Sequence, residues 1–282
     1  MVIDVKNDGG LLSYTSSIPF VQQMRSDHNP SIRDIHALLG LLHKKHIYAI
    51  RRIVTFKDPH LARQKPEWAI HKKDGGLWQD IKGTLWTDPY QRDVWDYNIA
   101  IAKEAAALGF DEIQFDYVRF PDNGSRVNQG VGFANKHHLS KEKTIVQFFH
   151  RACPENHRSG SYLSADVFGL ITSSTTDMGV GQVWEQVTRE VDVISPMTYP
   201  SHYSSGMYGT RQPDSTPDEA IRHTMMDAKL RNVQVVQSVS SLSVPAAAML
   251  TTKPAEIRPW LQNFTATWVP SYRVYGIQEV RQ

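Results

Sequence analysis

Two aspartates close apolar runs that read as strands: Asp116 in "DEIQFDYVRF" and Asp166 in "LSADVFG". Carboxylates on adjacent strands can perform acid/base or nucleophilic chemistry on a glycosidic bond, because neighbouring strands lie roughly 5 Å apart. Side chains leaning together give the gap of about 5 Å of a retaining glycosidase, and side chains splayed apart give the wider gap of an inverting one. The sequence leaves both outcomes open. Asp116 is the candidate nucleophile or base, and Asp166 the candidate acid/base partner.

Other strand ends carry polar groups as well. The first strand offers Asp4, Lys6 and Asp8 on one face, and the second offers Arg52 followed by Lys57 and Asp58. Arg119 follows Asp116, Tyr199 and His202 lie in "PMTYPSHY", and "IRPWLQNF" sets Arg258, Trp260 and Gln262 at alternate positions. Taken singly, each aspartate reads as a helix cap or turn former, and Lys6 and Arg52 read as internal ion pairs with Asp4 or Glu112. Asp58 and Asp88, each before a proline, read as loop residues. The accumulation is harder to explain that way. Several buried polar groups without partners would cost a few kcal/mol each, so they should form a network around a pocket. Asp4, Lys6, Arg52, Arg119, Tyr199, His202, Arg258, Trp260 and Gln262 are therefore candidate substrate-binding residues, with Arg119 and Lys6 expected to keep one carboxylate ionised. Trp78 joins them: with Trp86 it flanks Gly75–Gly76 and Gly83, where a ring could stack on a sugar or anchor a long loop. Trp95, inside a helical window, reads as an anchor.

Competing chemistries lack their residues. There is no H-x-H or H-E-x-x-H, so no metal site is expected. No G-x-S-x-G occurs, and the glycine pattern of "NDGGLLSYTS" matches neither dinucleotide nor phosphate loops, so no cofactor is expected. Cys153, the only cysteine, excludes an internal disulfide. The net charge of +2, from 31 basic and 29 acidic side chains well mixed, argues against nucleic acid as a partner. No apolar run approaches the roughly 18 residues of a membrane span.

The elements that must position these groups alternate. Strand-like runs occur at Val2–Lys6, His46–Phe56, Glu112–Val118, Tyr162–Val167, Val193–Tyr199 and Ile257–Phe264, with helical windows at Ile32–Lys44, Arg92–Leu108, Lys141–Ala152, Val183–Glu190 and Pro217–Arg231. Gln234–Val244 fits either a short strand or an inserted loop. This is the signature of βα units. Polar residues at alternate strand positions favour a TIM-type (β/α)8 barrel over a doubly wound sheet, with Glu112, Gln114 and Asp116 on the lumen side and Ile113, Phe115 and Tyr117 facing the surrounding helices. Length and apolar content suit one domain over residues 1–282.

"VIDVKND", "RIVTFKDP", "PEWA…KDGGLW", "DPY…VWDYNIAIAKEAAALGFDEIQFDYVRFP", "SADVFG", "ISPMTYPSHY" and "RPWLQNFT" resemble, in order, a bacterial family of uncharacterised glycosyl-hydrolase-type domains with a TIM-like barrel. The resemblance implies a glycosidase-type barrel, in the cell envelope or outside the cell, without fixing a substrate; the first hypothesis is a hydrolase of O-glycosidic bonds in a polysaccharide. It also implies a strand before "VIDVKND" and another after the final helix, so the chain is expected to hold strands two to seven of eight. Arg51 departs from the family, standing where a small residue is typical. The alternative is a non-catalytic carbohydrate-binding barrel; a metal-dependent sugar deacetylase is a third reading.

Overall fold

The computed structural model describes residues 1–122, 127, 129–240, 253–270 and 272–281. One compact unit comprises Met1–Ala165 with Asp177–Gln182, and a second comprises Asp166–Thr176 with Val183–Gln282.

In the first unit the chain runs β1 (Val2–Lys6), α1 (Pro19–Met24), α2 (Ile35–Lys44), β2 (Ile50–Val54), α3 (Pro59–Gln64), β3 (His71–Lys72), α4 (Arg92–Leu108), β4 (Glu112–Asp116), β5 (Val131–Gly132), α5 (Lys141–Arg158) and into β6 (Tyr162–Phe168). Strands β1, β2, β4 and β6 lie side by side in chain order, each parallel to the next. Strands that add in one direction follow the winding of a β/α barrel; a doubly wound sheet reverses direction part-way. The α/β class expected from the alternating runs is therefore what forms. Short β3 and β5 pair antiparallel outside this sheet.

Register fixes which residues share a face. Ile3, Arg51, Ile113 and Leu163 form one row, and Ile53, Phe115 and Ala165 the next. Phe115 packs its ring edge-on to Phe148 of α5, with centroids 5.0 Å apart, and Trp95 of α4 meets the same Phe148 at 5.8 Å. Full burial of side chains such as Ile113 and Phe115 contributes roughly 1.5–3 kcal/mol each. The opposite face carries Asp4, Arg52, Gln114 and Asp116. Helix α4 stops at Gly109, whose φ of 103° closes the last turn by directing its N–H to Ala105 and Ala106.

In the second unit, α6 (Trp184–Val187) is followed by β7 (Val193–Thr198), α7 (Pro217–Ser240), β8 (Glu256–Ile257), β9 (Trp260–Leu261) and α8 (Ile277–Arg281). Both β8 and β9 run parallel to β7. Arg231 ties α7 down, donating to the Glu185 carboxylate and to the carbonyls of Ile171 and Ser174. Asn232 beside it accepts from Trp184 Nε1 at 2.9 Å and donates to the Ala255 carbonyl at 3.0 Å. Among the described residues no helix is long and apolar enough to cross a membrane.

Element boundaries depart from the sequence pattern for local reasons. The expected strand from His46 begins only at Ile50, because His46 has φ of 55° and helps close α2. The expected strand to Val118 ends at Asp116, because Tyr117 has φ of 49°. Pro259, which has no N–H, splits the expected strand Ile257–Phe264 into β8 and β9. Helix α7 continues past Arg231 to Ser240, taking in the first part of the ambiguous Gln234–Val244; residues 241–244 lie outside the described residues.

Candidate active site

Asp116 is the last residue of β4, buried, and held from two directions. Arg52 on β2 donates to Oδ2 from Nε at 3.0 Å and from Nη2, while the Tyr117 amide donates to Oδ1 at 2.5 Å. The same guanidinium donates from Nη1 to Asp4 Oδ1 on β1 at 2.9 Å. Three adjacent parallel strands thus contribute one carboxylate–guanidinium–carboxylate row. Burial alone would lower the Arg52 pKa, but Asp116 and Asp4 outweigh it and hold the guanidinium above its ordinary range. The row is anchored at its buried end, since Asp4 is exposed and Asp116 is not.

Tyr117 breaks the strand's alternation. A left-handed backbone is costly for a bulky residue, and here it swings the ring away from the helix-facing row that period two assigned to it. The ring is flanked by Lys57 Nζ at 4.7 Å and the Arg119 guanidinium at 5.1 Å, with the edge of Trp86 at 5.7 Å. Lys57 also pairs with Asp8 at 3.1 Å. Burial depresses the Lys57 pKa less than Tyr117 and Asp8 raise it, so the ammonium titrates above its usual range.

The other candidates of this unit fall into two groups. Arg119 stands by the cluster: Nη1 donates to the Phe120 carbonyl at 2.9 Å, and its guanidinium lies 5.2 Å from the Trp86 ring. Burial lowers its pKa. Trp86 is 1% exposed and gives its Nε1–H to Asp80 at 2.9 Å, so it anchors the loop and supports Arg119 and Tyr117. Trp78 is half-buried, with its amide on Ile70, and belongs to the same excursion of the chain.

Lys6 is elsewhere. The pairing of β1 with β2 shifts between Asp4 and Lys6, so that Asp4 sits opposite Arg52 but Lys6 sits opposite Ile53. This bulge turns Lys6 onto the helix side of the sheet. There it is 0% exposed, 2.7 Å from Asp58 Oδ2, and donates to the Val54 carbonyl at 2.7 Å and to Asn98 Oδ1 of α4 at 3.1 Å. Burial lowers its pKa against the opposing pull of Asp58. The expected one-face set of Asp4, Lys6 and Asp8 therefore does not form, and Lys6 braces the fold instead of contacting Asp116.

Asp88 is a second buried carboxyl with a bracing role. Its Oδ2 accepts from the Ala134 amide at 2.7 Å and its Oδ1 from Tyr90 at 2.9 Å, clasping the segment after β5. Burial pushes its pKa up to about 6, against the downward pull of those amides and of His71. A carboxyl with a raised folded pKa is protonated first in the folded state. The contribution of Asp88 to stability is thus fully present below about pH 4 and falls by up to about 3 kcal/mol as pH rises to about 6. Unfolding free energies measured from pH 4 to 7 should lose that slope in Asp88→Asn; equal slopes in both proteins would contradict it.

In the second unit, Asp166 on β6 accepts from Trp260 Nε1 at 2.7 Å. Tyr199 follows the end of β7, and its ring lies 5.5 Å from His202 and 5.5 Å from Phe264. Gln262 is buried and structural: Nε2 donates to Asp214 and to the Phe264 carbonyl, each at 3.0 Å, while Oε1 accepts from the Ser201 amide at 3.1 Å. Arg258 is half-buried at the break between β8 and β9, its amide on the Ile194 carbonyl. Sequence reasoning missed Tyr117, which periodicity put on the wrong face, and the pair Phe264 and Trp268, for which no motif or spacing gave a signal. Among the described residues, no three His, Cys, Asp or Glu are placed to hold a metal ion.

The family profile that matches the chain, described as "Putative glycosyl hydrolase domain", spans residues 1–282. A crystal structure of a hypothetical protein from Ruminiclostridium thermocellum ATCC 27405 is 39% identical, with a TM-score of 0.52 over 59% of this chain and 82% of that one. The α-galactosidase TtGalA from Thermus thermophilus is 12% identical, with a TM-score of 0.48 over 88% of this chain and 43% of that one. The PgaB (BpsB) glycoside hydrolase domain from Bordetella bronchiseptica is 9% identical, with a TM-score of 0.47 over 78% and 72%. No curated protein matches the sequence.

Proposed function

The chain belongs to this glycosyl hydrolase domain family, and we propose that it cleaves O-glycosidic bonds of a polysaccharide, with Asp116 as nucleophile or base and Asp166 as its acid/base partner. The observation that carries the proposal is the fixing of Asp116: a buried carboxylate at a strand end, oriented by a guanidinium and a backbone amide, is positioned to attack an anomeric carbon or to take a proton from water. Asp4, Arg52, Arg119, Trp78, Tyr199, His202, Arg258 and Trp260 are the proposed substrate contacts; Lys6 and Gln262 act behind them as braces.

One observation favours a second reading. Arg52 puts two nitrogens on a single oxygen of Asp116, an engagement that a purely structural carboxylate also has. A carbohydrate-binding domain without turnover would keep this arrangement. Release of new reducing ends from soluble polysaccharides separates the two: release supports hydrolysis, and binding without release from any of them supports the second reading.

A further inference from the structure

We propose that Trp268, Phe264, His202 and Tyr199 form a platform that holds one or more pyranose rings of a glycan face-on. Trp268 is 64% exposed, a rare state for the largest apolar side chain. It is nonetheless held in place. Phe264 stacks against it at 6.1 Å with an interplanar angle of 27°, and His202 meets it edge-on at 6.3 Å. Phe264 and His202 each rest against Tyr199, so four rings support one another.

The backbone beneath is equally fixed. Tyr199 follows the last residue of β7, and the 3-10 turn Pro200–His202 is closed by the His202 amide on the Tyr199 carbonyl at 2.9 Å. Gln262, buried just after β9, accepts from the Ser201 amide and donates to the Phe264 carbonyl, locking the two aromatic segments together. Ala266 is fully buried, and its carbonyl accepts from the Val269 amide at 3.0 Å, which closes the turn carrying Trp268.

A preorganised indole face in water suits a ligand that is apolar on one face and polar at its rim. A pyranose ring is such a ligand, with C–H groups on its faces and hydroxyls around its edge. Stacking removes little conformational freedom from rings that are already braced, so most of the gain appears as affinity. Ser201 Oγ and His202 Nδ1 hydrogen-bond to each other at 3.1 Å beside these rings, so the platform carries polar atoms as well as apolar faces. The choice of a sugar over another flat apolar ligand rests on the glycoside hydrolase reading.

Native gels containing soluble xylan, galactomannan or glycol chitin give the test, with wild type, Trp268→Ala, Trp268→Phe and Asp116→Asn run together. At least one polysaccharide should retard wild type and Asp116→Asn equally. Trp268→Ala should need about tenfold more of it for the same retardation, and Trp268→Phe should fall between. Equal retardation of Trp268→Ala and wild type overturns the platform, as does lack of retardation of the wild type in all three gels. A lowered melting temperature of Trp268→Ala with unchanged retardation also overturns it, since Trp268 is then covered by protein. If Asp116→Asn keeps full turnover while Trp268→Ala loses binding, the platform stands and the catalytic assignment falls.

Discussion

Asp116→Asn is expected to lower turnover by about 10³-fold or more if the proposed catalytic role holds, while leaving folding close to that of the parent. The size follows from what the change removes. Asparagine keeps the volume and one carbonyl oxygen, so the Tyr117 amide retains an acceptor. What is lost is the negative charge that, on the proposed mechanism, attacks or deprotonates. Arg52 keeps Asp4 as a counter-ion and reaches solvent at its outer end, so the loss of stability stays within about 2 kcal/mol. Turnover should collapse in kcat, with KM little changed, because the proposed substrate contacts are left intact. Full turnover by Asp116→Asn on a substrate cleaved by the wild type refutes the assignment. Arg52→Lys is the companion: a lysine cannot reproduce the fork that spans Asp116 and Asp4, so kcat should fall by a smaller factor, about 10–100-fold.

How much of this arrangement was legible in the sequence depends on one local rule, the period of two along a strand. Where the rule held, the reading was accurate. Ile113 and Phe115 point to the helices, and Asp4, Arg52 and Asp116 meet on the other face. Where a single backbone irregularity intervened, the reading inverted. The register shift before Lys6 moved it to the helix side, and the left-handed φ of Tyr117 brought a ring assigned to the core into the polar cluster. Neither event has a sequence mark: Val5 is a normal strand residue, and tyrosine is disfavoured at positive φ. Arg51 shows the converse. Its row is otherwise apolar, and its guanidinium is fully buried over the rings of Tyr14 and Phe110, at 5.1 and 5.9 Å. The neighbouring arginines Arg51 and Arg52 thus face opposite sides of one sheet, as alternation requires, and only Arg52 belongs to the polar row.

Asp58→Ala should be the most destabilising of the single changes considered, and its cause is Lys6. The Lys6 ammonium is completely buried, and Asp58 is the carboxylate beside it; Val54 and Asn98 supply only neutral oxygens. Removing one partner of a buried ion pair leaves the other uncompensated, at a cost of about 3–5 kcal/mol. Asp58 Oδ1 also accepts from the Leu61 amide at 2.8 Å and caps α3, worth about 1 kcal/mol more. Against a total of about 5–15 kcal/mol this is a large fraction, and a fall in melting temperature on the order of 10 °C is expected. Lys6→Met should cost a similar amount by stranding Asp58, and Lys6→Met with Asp58→Asn should cost clearly less than the two single changes added together, since no buried charge remains. Gly10→Ala attacks the same carboxylate from outside: a Cβ there would come within 2.0 Å of Asp58 Oδ1, at a backbone φ of +84°. Lys6 also grips the Val54 carbonyl at the end of β2, two residues beyond Arg52, so Asp58→Ala should loosen the strand that presents the Asp116 clamp. Calorimetry and turnover on one set of proteins then separate the two aspartates: Asp58→Ala should lower both melting temperature and kcat, whereas Asp116→Asn should lower kcat with a clearly smaller fall in melting temperature. Equal melting temperatures for Asp58→Ala and wild type would show that the buried ammonium does not depend on its carboxylate.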